Sequence, residues 1–267
     1  MTLKLQSPPR HWSAVAALIA SLLIGSATAA SAAEEEAKLD ETSIGELPAR
    51  IDLRPQFAEF GLTQRMQGRR GTCSVFATVE GVEFALARTT GHGERLSIEF
   101  ANWAANSATG RTDDGDFFHN IIKGIQTHGI CTDPSMPYEK EFSAERAPSA
   151  EASAEAAKFR EGNNVVFHWL RSWKRKPGLD DSDLPRIKAV LASGSPVSAG
   201  SYHSLLLVGY EDDPKLPGGG RFLVADSQGH ERDLDYEATK KRMCDLFWVT
   251  IEPKLAETPS GKVSCAQ

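Results

Sequence analysis

The sequence predicts an α+β fold, with helices in the first half of the chain and an antiparallel sheet in the second half. In the first half, apolar residues recur every three or four positions, as they do on the buried face of a helix. In the second half, short apolar segments alternate with turn sequences such as Asp212-Asp213-Pro214, which is typical of antiparallel strands. We therefore expect a helical half over about residues 47–160 and a sheet half over about residues 161–252.

Three helices are predicted in the helical half. The central helix begins at or just before Cys73, runs to about Arg88 and ends at a glycine-rich turn. Ser97 is placed to cap the start of the second helix. The third covers about residues 117–128, and Gly129 ends it. Each of these helices is apolar on one face, so all three should pack on one another.

Two segments of the helical half are less regular. Residues 47–55 contain two prolines, which favour extended backbone. Residues 143–161 are rich in Ala, Glu and Ser, and form either a solvent-exposed helix or a linker that crosses between the halves.

The sheet half is predicted to contain five strands and one helix, because each apolar segment is bounded by turn residues. The strands lie at about residues 165–169, 196–199, 204–210, 221–225 and 246–251, and the helix at about residues 184–193.

The N-terminal residues predict an export signal. Lys4 and Arg10 precede an apolar core at residues 14–25, and small residues follow this core, as in a cleavable signal peptide. We therefore expect residues 1–33 to be removed and the protein to be periplasmic or secreted. A retained membrane anchor is the alternative, because no charge interrupts residues 12–33.

The termini of the mature chain are expected to lie outside the folded domain. Residues 34–46 begin with three glutamates and are predicted to be disordered, and residues 253–267 form a C-terminal tail. No other stretch is long and apolar enough to span a bilayer, so stable membrane insertion after signal cleavage is not expected.

Charge and cysteine content exclude several classes of function. The formal net charge of −6 argues against a nucleic-acid-binding protein, which would need a basic face. The four cysteines are Cys73, Cys131, Cys244 and Cys265, and no pair has the spacing of metal ligands, so no metal or cofactor is expected. If Cys73 is a working thiol, Cys244 and Cys265 could pair, which would leave Cys131 single and buried.

Cys73 is the candidate nucleophile. It follows a glycine-flanked loop and begins the central helix, where the helix dipole and unpaired N–H groups favour the thiolate, the form that attacks carbonyl carbon. For an isolated cysteine, a buried role in the core would be the commoner outcome. A thiol nucleophile also needs a base and a group that orients the base.

His203 and Asp226 are the candidates for these two partners. His203 precedes one predicted strand, and Asp226 follows the next. Adjacent strands would place the two side chains together, so that Asp226 could hold one imidazole nitrogen while the other faces Cys73.

At these positions the chain resembles the papain-family cysteine peptidases. The resemblance covers roughly residues 47–252. The matching segments are Gln67 to Phe76 around the nucleophile, His203 to Tyr210, Asp226-Ser227-Gln228-Gly229, the mature-start sequence Ile51-Asp52-Leu53-Arg54, and Leu96-Ser97.

The resemblance implies both a fold and a set of roles. The fold would be a helical half and an antiparallel barrel-like sheet half, with the active-site cleft between them. Cys73 would be the nucleophile, His203 the general base and acid, and Asp226 the group that orients His203. The side chain of Gln67 and the backbone N–H of Cys73 would form the oxyanion hole. The substrate would be a protein or peptide.

The region that resembles the family's substrate loop reads Asp113-Asp114-Gly115-Asp116, with a single glycine. Gly115 and Asp116 are therefore tentative substrate-binding residues, as is Tyr202, which precedes the candidate base. Arg70 stands where the family has the cysteine that crosslinks this loop. An ion pair between Arg70 and Asp113 is predicted to replace the disulfide.

Other departures affect the predicted site. Asp226 replaces the family's asparagine and should hold an imidazolium more firmly. Gln228 replaces a tryptophan that shields the orienting pair, so a wetter contact is expected, and Ser74 replaces the tryptophan beside the nucleophile. A five-residue gap between Val197 and His203 replaces a long hairpin, so one end of the cleft should be more open. No long inhibitory pro-segment is expected before the peptidase domain.

Three functions fit these observations. The first is an exported endopeptidase that forms a thioester acyl-enzyme. The second is a papain-like binding module that has lost efficient hydrolysis, and the third is a thiol amidase or transpeptidase acting on cell-wall peptides. The sequence does not fix the subsite preference or the oligomeric state.

Overall fold

The computed structural model describes residues 46–230 and 233–254. The predicted signal peptide, the predicted disordered segment up to residue 45, Cys265 and most of the C-terminal tail lie outside these residues. The helices are α1 (Arg54–Glu59), α2 (Cys73–Thr90), α3 (Ile98–Thr109), α4 (Phe118–His128), α5 (Ala150–Gly162), α6 (Asp183–Ala192) and α7 (Tyr236–Arg242). The strands are β1 (Arg50–Asp52), β2 (Asn163–Arg171), β3 (Val197–Gly200), β4 (Leu205–Asp212), β5 (Gly220–Ala225), β6 (Leu234–Asp235) and β7 (Asp245–Pro253).

The α+β prediction is confirmed, and the helical half agrees closely with the sequence pattern. The side chain of Ser97 accepts a hydrogen bond from the N–H of Phe100 and so caps α3. Gly91 ends α2 with a φ of 80°, a left-handed conformation that glycine adopts without strain. Of the two alternatives for residues 143–161, the helix is correct from Ala150 onwards, and only Ala152 and Ala156 of α5 are buried.

The strands form one antiparallel sheet in the order β2-β7-β3-β4-β5-β6, and β1 pairs with β4. Within the described residues this path ends at β2 and β6, so the expected barrel-like half is an open sheet. The register pairs Ala199 with Leu205 and Leu206 with Ala225. The turn that follows β3 and the end of β5 therefore lie near one another at the same end of the sheet.

Four short elements were not predicted: α1, α7, β1 and β6. The expectation of extended backbone through residue 55 was wrong, because Pro55 lies in the first turn of α1. Proline is favoured there, since its fixed φ suits a helix and its missing N–H has no partner to lose. A segment of six residues is too short for apolar periodicity to reveal.

Helix α2 connects the two halves. Its residues 74–87 are buried. Val75 and Phe76 belong to the core formed with the other helices, whereas Phe84 and Ala87 belong to the core beneath the sheet. The hydroxyl of Ser198 in β3 donates to the carbonyl of Ala77 at 2.9 Å and ties the sheet to the helix. This packing fixes the position of the first residue of α2, Cys73, against the sheet.

None of the helices in the described part of the chain combines the length and the apolar composition needed to cross a bilayer.

Candidate active site

Cys73 is half-buried at the first position of α2, as predicted. Burial alone would raise the pKa of its thiol. Hydrogen bonds with the imidazole of His203 and with Ser204 outweigh burial, so the pKa lies below the ordinary value of 9.0. The fold therefore favours the thiolate.

His203 lies in the short turn between β3 and β4 and contacts Asp226 as well as Cys73. Its Nε2 is 2.6 Å from Oδ1 of Asp226, which directly follows β5. The hydrogen bond with Cys73 raises the pKa of His203 most strongly, burial opposes this rise, and Asp226 adds to it. The net pKa is above 6.5, so the thiol and the imidazole are both shifted toward a thiolate–imidazolium pair.

The carboxylate of Asp226 is fully buried. Its Oδ1 also accepts from the backbone N–H of Gln228 at 2.8 Å, and its Oδ2 is 3.4 Å from Nδ1 of His230. The amide of Gln64 donates to the Asp226 carbonyl. Gln228 is exposed, and the side chain of His203 is 18% exposed whereas that of Asp226 is buried, so the wetter contact expected here stays a prediction.

Gln67 is buried next to this chain of hydrogen bonds. Its Oε1 accepts from the hydroxyl of Ser227 at 2.6 Å, and its backbone N–H donates to the Ser227 carbonyl at 2.8 Å. Its Nε2 donates to the Arg70 carbonyl at 2.7 Å. These contacts fix the side-chain amide and use one of its two N–H donors.

A cleft of about 330 Å³ opens beside Cys73. Gly115 and Asp116 line it, together with residues at the start of α4, the end of β3 and the start of β7. Tyr202 does not line this cleft and is fully exposed, so its proximity in sequence to His203 does not bring its side chain to the cavity.

The loop over residues 113–116 is held by Arg70, but by a different acid from the one predicted. Arg70 donates to Asp114 at 2.8 Å and to Glu99 of α3 at 2.5 Å, whereas Asp113 bonds Arg111. The prediction named the correct arginine but the wrong aspartate, because Asp114 bonds Arg70 and the adjacent Asp113 bonds Arg111. The predicted Arg70–Asp113 pair is therefore wrong, and Arg70 instead joins the buried Glu99 to the partly buried Asp114.

Gly115 is the residue of this loop that must be glycine. It has a φ of 89°, and a Cβ there would lie 2.0 Å from the Gly71 carbonyl oxygen. Both facts exclude a side chain, so the close approach of the loop to the Gly71 carbonyl requires glycine at position 115.

No disulfide joins Cys73, Cys131 and Cys244, the three cysteines within the described residues. Cys131 is buried, as predicted, and burial raises the pKa of its thiol to about 12. It is therefore unreactive. The second partner of the possible Cys244–Cys265 bond lies outside the described residues.

Comparison with solved structures identifies the fold of this chain. No protein-family model and no curated protein matches the sequence. Among solved structures, xylellain, a cysteine protease from Xylella fastidiosa, matches with a TM-score of 0.63 at 19% identity, over 81% of this chain and 91% of its own. The chain has the papain-like fold.

Two further papain-like structures support this assignment. Procathepsin L 3 from the Tenebrio molitor larval midgut matches with a TM-score of 0.55 at 18% identity, over 80% of this chain and 72% of its own. The recombinant stem bromelain precursor matches with a TM-score of 0.57 at 17% identity, over 81% and 75%. At these identities the likeness establishes the fold, and the chemistry depends on the residues described above.

Sequence reasoning missed several residues of the papain-like site. They include Ser204, which contacts the thiol, Glu99, which shares Arg70, and His230, which lies against Asp226. Ser204 could have been inferred, since it adjoins the candidate base. Glu99 and His230 carry no local signal, because their roles depend on chain segments that meet only in the folded protein.

Proposed function

We propose that this protein is a cysteine peptidase that hydrolyses peptide bonds through a thioester acyl-enzyme. The observation that carries the proposal is the opposite pKa shift of two hydrogen-bonded groups, with the Cys73 thiol lowered and the His203 imidazole raised. A cysteine with a purely structural role in the core would have a raised pKa, as Cys131 has.

The proposed reaction assigns one task to each group. The sulfur of Cys73 forms a bond to the substrate carbonyl carbon, while the side-chain amide of Gln67 and the backbone N–H of Cys73 stabilise the oxyanion. The imidazolium of His203 gives its proton to the leaving nitrogen as the C–N bond breaks. His203 then takes a proton from water as the water oxygen attacks the thioester carbon; the C–S bond breaks, the acid is released, and the thiolate–imidazolium pair is restored. Asp226 orients His203 throughout.

Thiol labelling tests the nucleophile. We expect iodoacetamide to alkylate Cys73 near neutral pH faster than it alkylates a free thiol such as glutathione, because the thiolate is favoured. Mass spectrometry of the modified peptide identifies the site. Cys73→Ser should abolish the fast phase and the peptidase activity, whereas Cys244→Ser should preserve both, because the pKa of the Cys244 thiol is raised.

Substrate profiling tests the reaction class. We expect cleavage of a protein-derived peptide library. Cleavage of muropeptides but not of the library would favour the amidase or transpeptidase alternative. Reactivity of Cys73 no faster than that of glutathione would contradict the proposal and favour a binding module.

We also propose that the protein is exported. The support is the signal-like sequence of residues 1–33. N-terminal sequencing of the protein from the periplasmic or culture fraction should give a start near residue 34. Recovery of the intact chain from the cytoplasm would contradict export without affecting the peptidase proposal.

A further inference from the structure

A second cavity, of about 270 Å³, lies between α1, α2 and the strands β4 and β5. Its lining shares no described residue with the cleft beside Cys73, so the two sites are separate. Apolar side chains supply most of its surface, and they are Phe57, Ala58, Leu62, Val208, Val224 and Ala225. An apolar cavity of about 150 Å³ holds benzene, so this one has room for an aromatic ring with a short side chain.

Glu80 is the acidic residue of this lining, which it joins from α2. The residue is 6% exposed, and its buried Oε1 has no hydrogen-bond partner. A buried carboxylate oxygen without a donor is unfavourable, so a donor from a bound ligand would stabilise it.

The two arginines in the same lining are already bonded to other acids. Arg54 donates to Asp52 from Nε at 2.8 Å and from Nη2 at 2.6 Å. Nη1 of Arg95 donates to Glu83 at 2.9 Å. No hydrogen bond from either guanidinium reaches Oε1 of Glu80. The positive charge of the lining is therefore used by carboxylates that lie outside it.

A third guanidinium, that of Arg65, also acts on Glu80 and is likewise shared. It bonds Glu83 at 2.6 Å and lies 3.7 Å from Asp133. Three guanidinium groups therefore lie among four carboxylates, those of Asp52, Glu80, Glu83 and Asp133, so one negative charge is in excess. The described residues contain no group of three or more His, Cys, Asp or Glu suitable for a metal ion. A singly charged organic cation matches both this excess and the apolar wall.

We propose that this cavity is a second binding site, for a small amine whose ammonium group donates to Glu80 and whose apolar body packs against the apolar wall. The site does not depend on the proposed peptidase function. It adjoins the group that would orient the base, because Gln64 of its lining donates to the Asp226 carbonyl and Ala225 directly precedes Asp226.

The test compares two probes of equal size, 2-phenylethylamine and its neutral counterpart 2-phenylethanol. At pH 8 we expect the amine to bind at least roughly tenfold more tightly, because a hydrogen bond between two charged groups is stronger than one from a neutral donor. Dissociation constants are measured by protein NMR titration, and the largest amide shifts should be those of Ala58, Leu62 and Ala225. Equal affinities, or shifts confined to cleft residues such as Gly115, would overturn the inference.

Variants locate the receiving carboxylate. Glu80→Gln should remove the preference for the amine. Ala58→Trp should block both probes, because Ala58 is exposed and a large side chain there can enter the cavity without disturbing the core. Glu59→Gln is the matched control, since it removes the same charge from an exposed neighbour outside the lining and should leave both affinities unchanged. Circular dichroism verifies that each variant is folded. A preference for the amine that persists in Glu80→Gln would overturn the assignment.

The pH dependence of binding gives an independent check. Burial raises the pKa of Glu80 to about 7, and an ammonium group binds the ionised carboxylate. The affinity of wild-type protein for the amine should therefore rise by more than about tenfold between pH 5.5 and pH 8. Strands β4 and β5 contribute no titratable side chain to the lining, and Glu80→Gln reports any contribution from Glu83. Equal pH dependence in wild-type protein and Glu80→Gln would contradict the site, and none of these outcomes bears on peptide hydrolysis.

Discussion

At the scale of single residues, the position of Asp226 decides the character of the base. A carboxylate held 2.6 Å from His203 and excluded from solvent supports a charged imidazolium, which an amide cannot do through charge. The same imidazole is the partner that lowers the pKa of the Cys73 thiol. The pKa shifts of His203 and Cys73 are therefore linked, so a substitution of Asp226 should also change the pKa of the Cys73 thiol.

Asp226→Asn tests this link. Removing the anion should lower the pKa of His203, so the imidazolium form is lost at lower pH and the alkaline limb of kcat/KM shifts to lower pH. The alkylation rate of Cys73 measured against pH should show a smaller thiolate fraction near neutral pH. Asp181→Asn, at an exposed site, should leave both profiles unchanged.

An alkaline limb that does not move in Asp226→Asn would show that another group governs the base. His230, whose Nδ1 is 3.4 Å from Oδ2 of Asp226, would be the first residue to test by substitution.

At the scale of elements, Arg70 fixes the loop over residues 113–116 to α3. Its side chain and that of Glu99 are almost completely buried, and the guanidinium also lies 4.5 Å from the centre of the Tyr138 ring. A buried cluster of charges stabilises a fold little more than apolar residues of similar volume would. Removing one of the charges, however, strongly destabilises the fold. The loop is therefore as firmly placed as a crosslinked one only while all three partners are present.

Arg70→Ala should lower the free energy of unfolding by about 3–5 kcal/mol, because it leaves buried carboxylates without their cation. Denaturant titration at neutral pH measures the loss, and peptidase activity should fall with it as the loop moves. Arg111→Ala is the control for stability, since its pair with Asp113 is about half exposed and should contribute far less to stability. Unchanged stability and activity in Arg70→Ala would refute a role for the cluster.

The elements that the sequence predicted are those with local signals. Helix α2 has a long apolar repeat, and α3 has a serine cap, so both could be assigned within a few residues. The choice of Asp114 rather than Asp113 for Arg70 depends on which way a loop side chain points. The exposure of Tyr202 likewise depends on a turn whose direction no periodicity encodes.

At the scale of the whole molecule, two buried glutamates of α2, Glu80 and Glu83, lie near two arginines from outside the helix, Arg65 and Arg95. Glu83 bonds Arg65 at 2.6 Å and Arg95 at 2.9 Å. Glu80, one turn earlier, is buried with an unpartnered oxygen, and burial raises its pKa to about 7. Folding therefore costs free energy whenever this carboxyl must ionise.

This cost predicts how stability varies with pH. The pKa of Glu80 rises from 4.5 to about 7 on folding, so the native state binds the proton more tightly and stability falls as pH rises through this window. At about 1.4 kcal/mol per pKa unit, the loss approaches ~3 kcal/mol above pH 7. Glu80→Gln should recover most of this loss at pH 8 and little at pH 4, as measured by denaturant titration at both values.

The pKa of Glu83 is also raised by burial, so a slope of the same sign should remain in Glu80→Gln. Glu59→Gln, at an exposed position of α1, should keep the wild-type slope. A Glu80→Gln protein with the wild-type dependence on pH would show that folding does not raise the pKa of Glu80.

The whole-molecule features were the hardest to predict from sequence. The approximate separation into helices and strands follows from periodicity, and the meeting of Cys73, His203 and Asp226 follows from the resemblance together with the order of the strands. Asp245 carries no signal, because only the pairing of β3 with β7 brings it beside Gly200.

Helix α2 contributes side chains to both hydrophobic cores and begins with the reactive sulfur. Loosening either core should therefore alter the environment of that sulfur, even when the substitution is far from the cleft. Alkylation of Cys73 can thus act as a sensor of conformational integrity for the entire domain. Slow turnover in a remote variant should first be checked as a folding defect before it is interpreted as a change in chemistry.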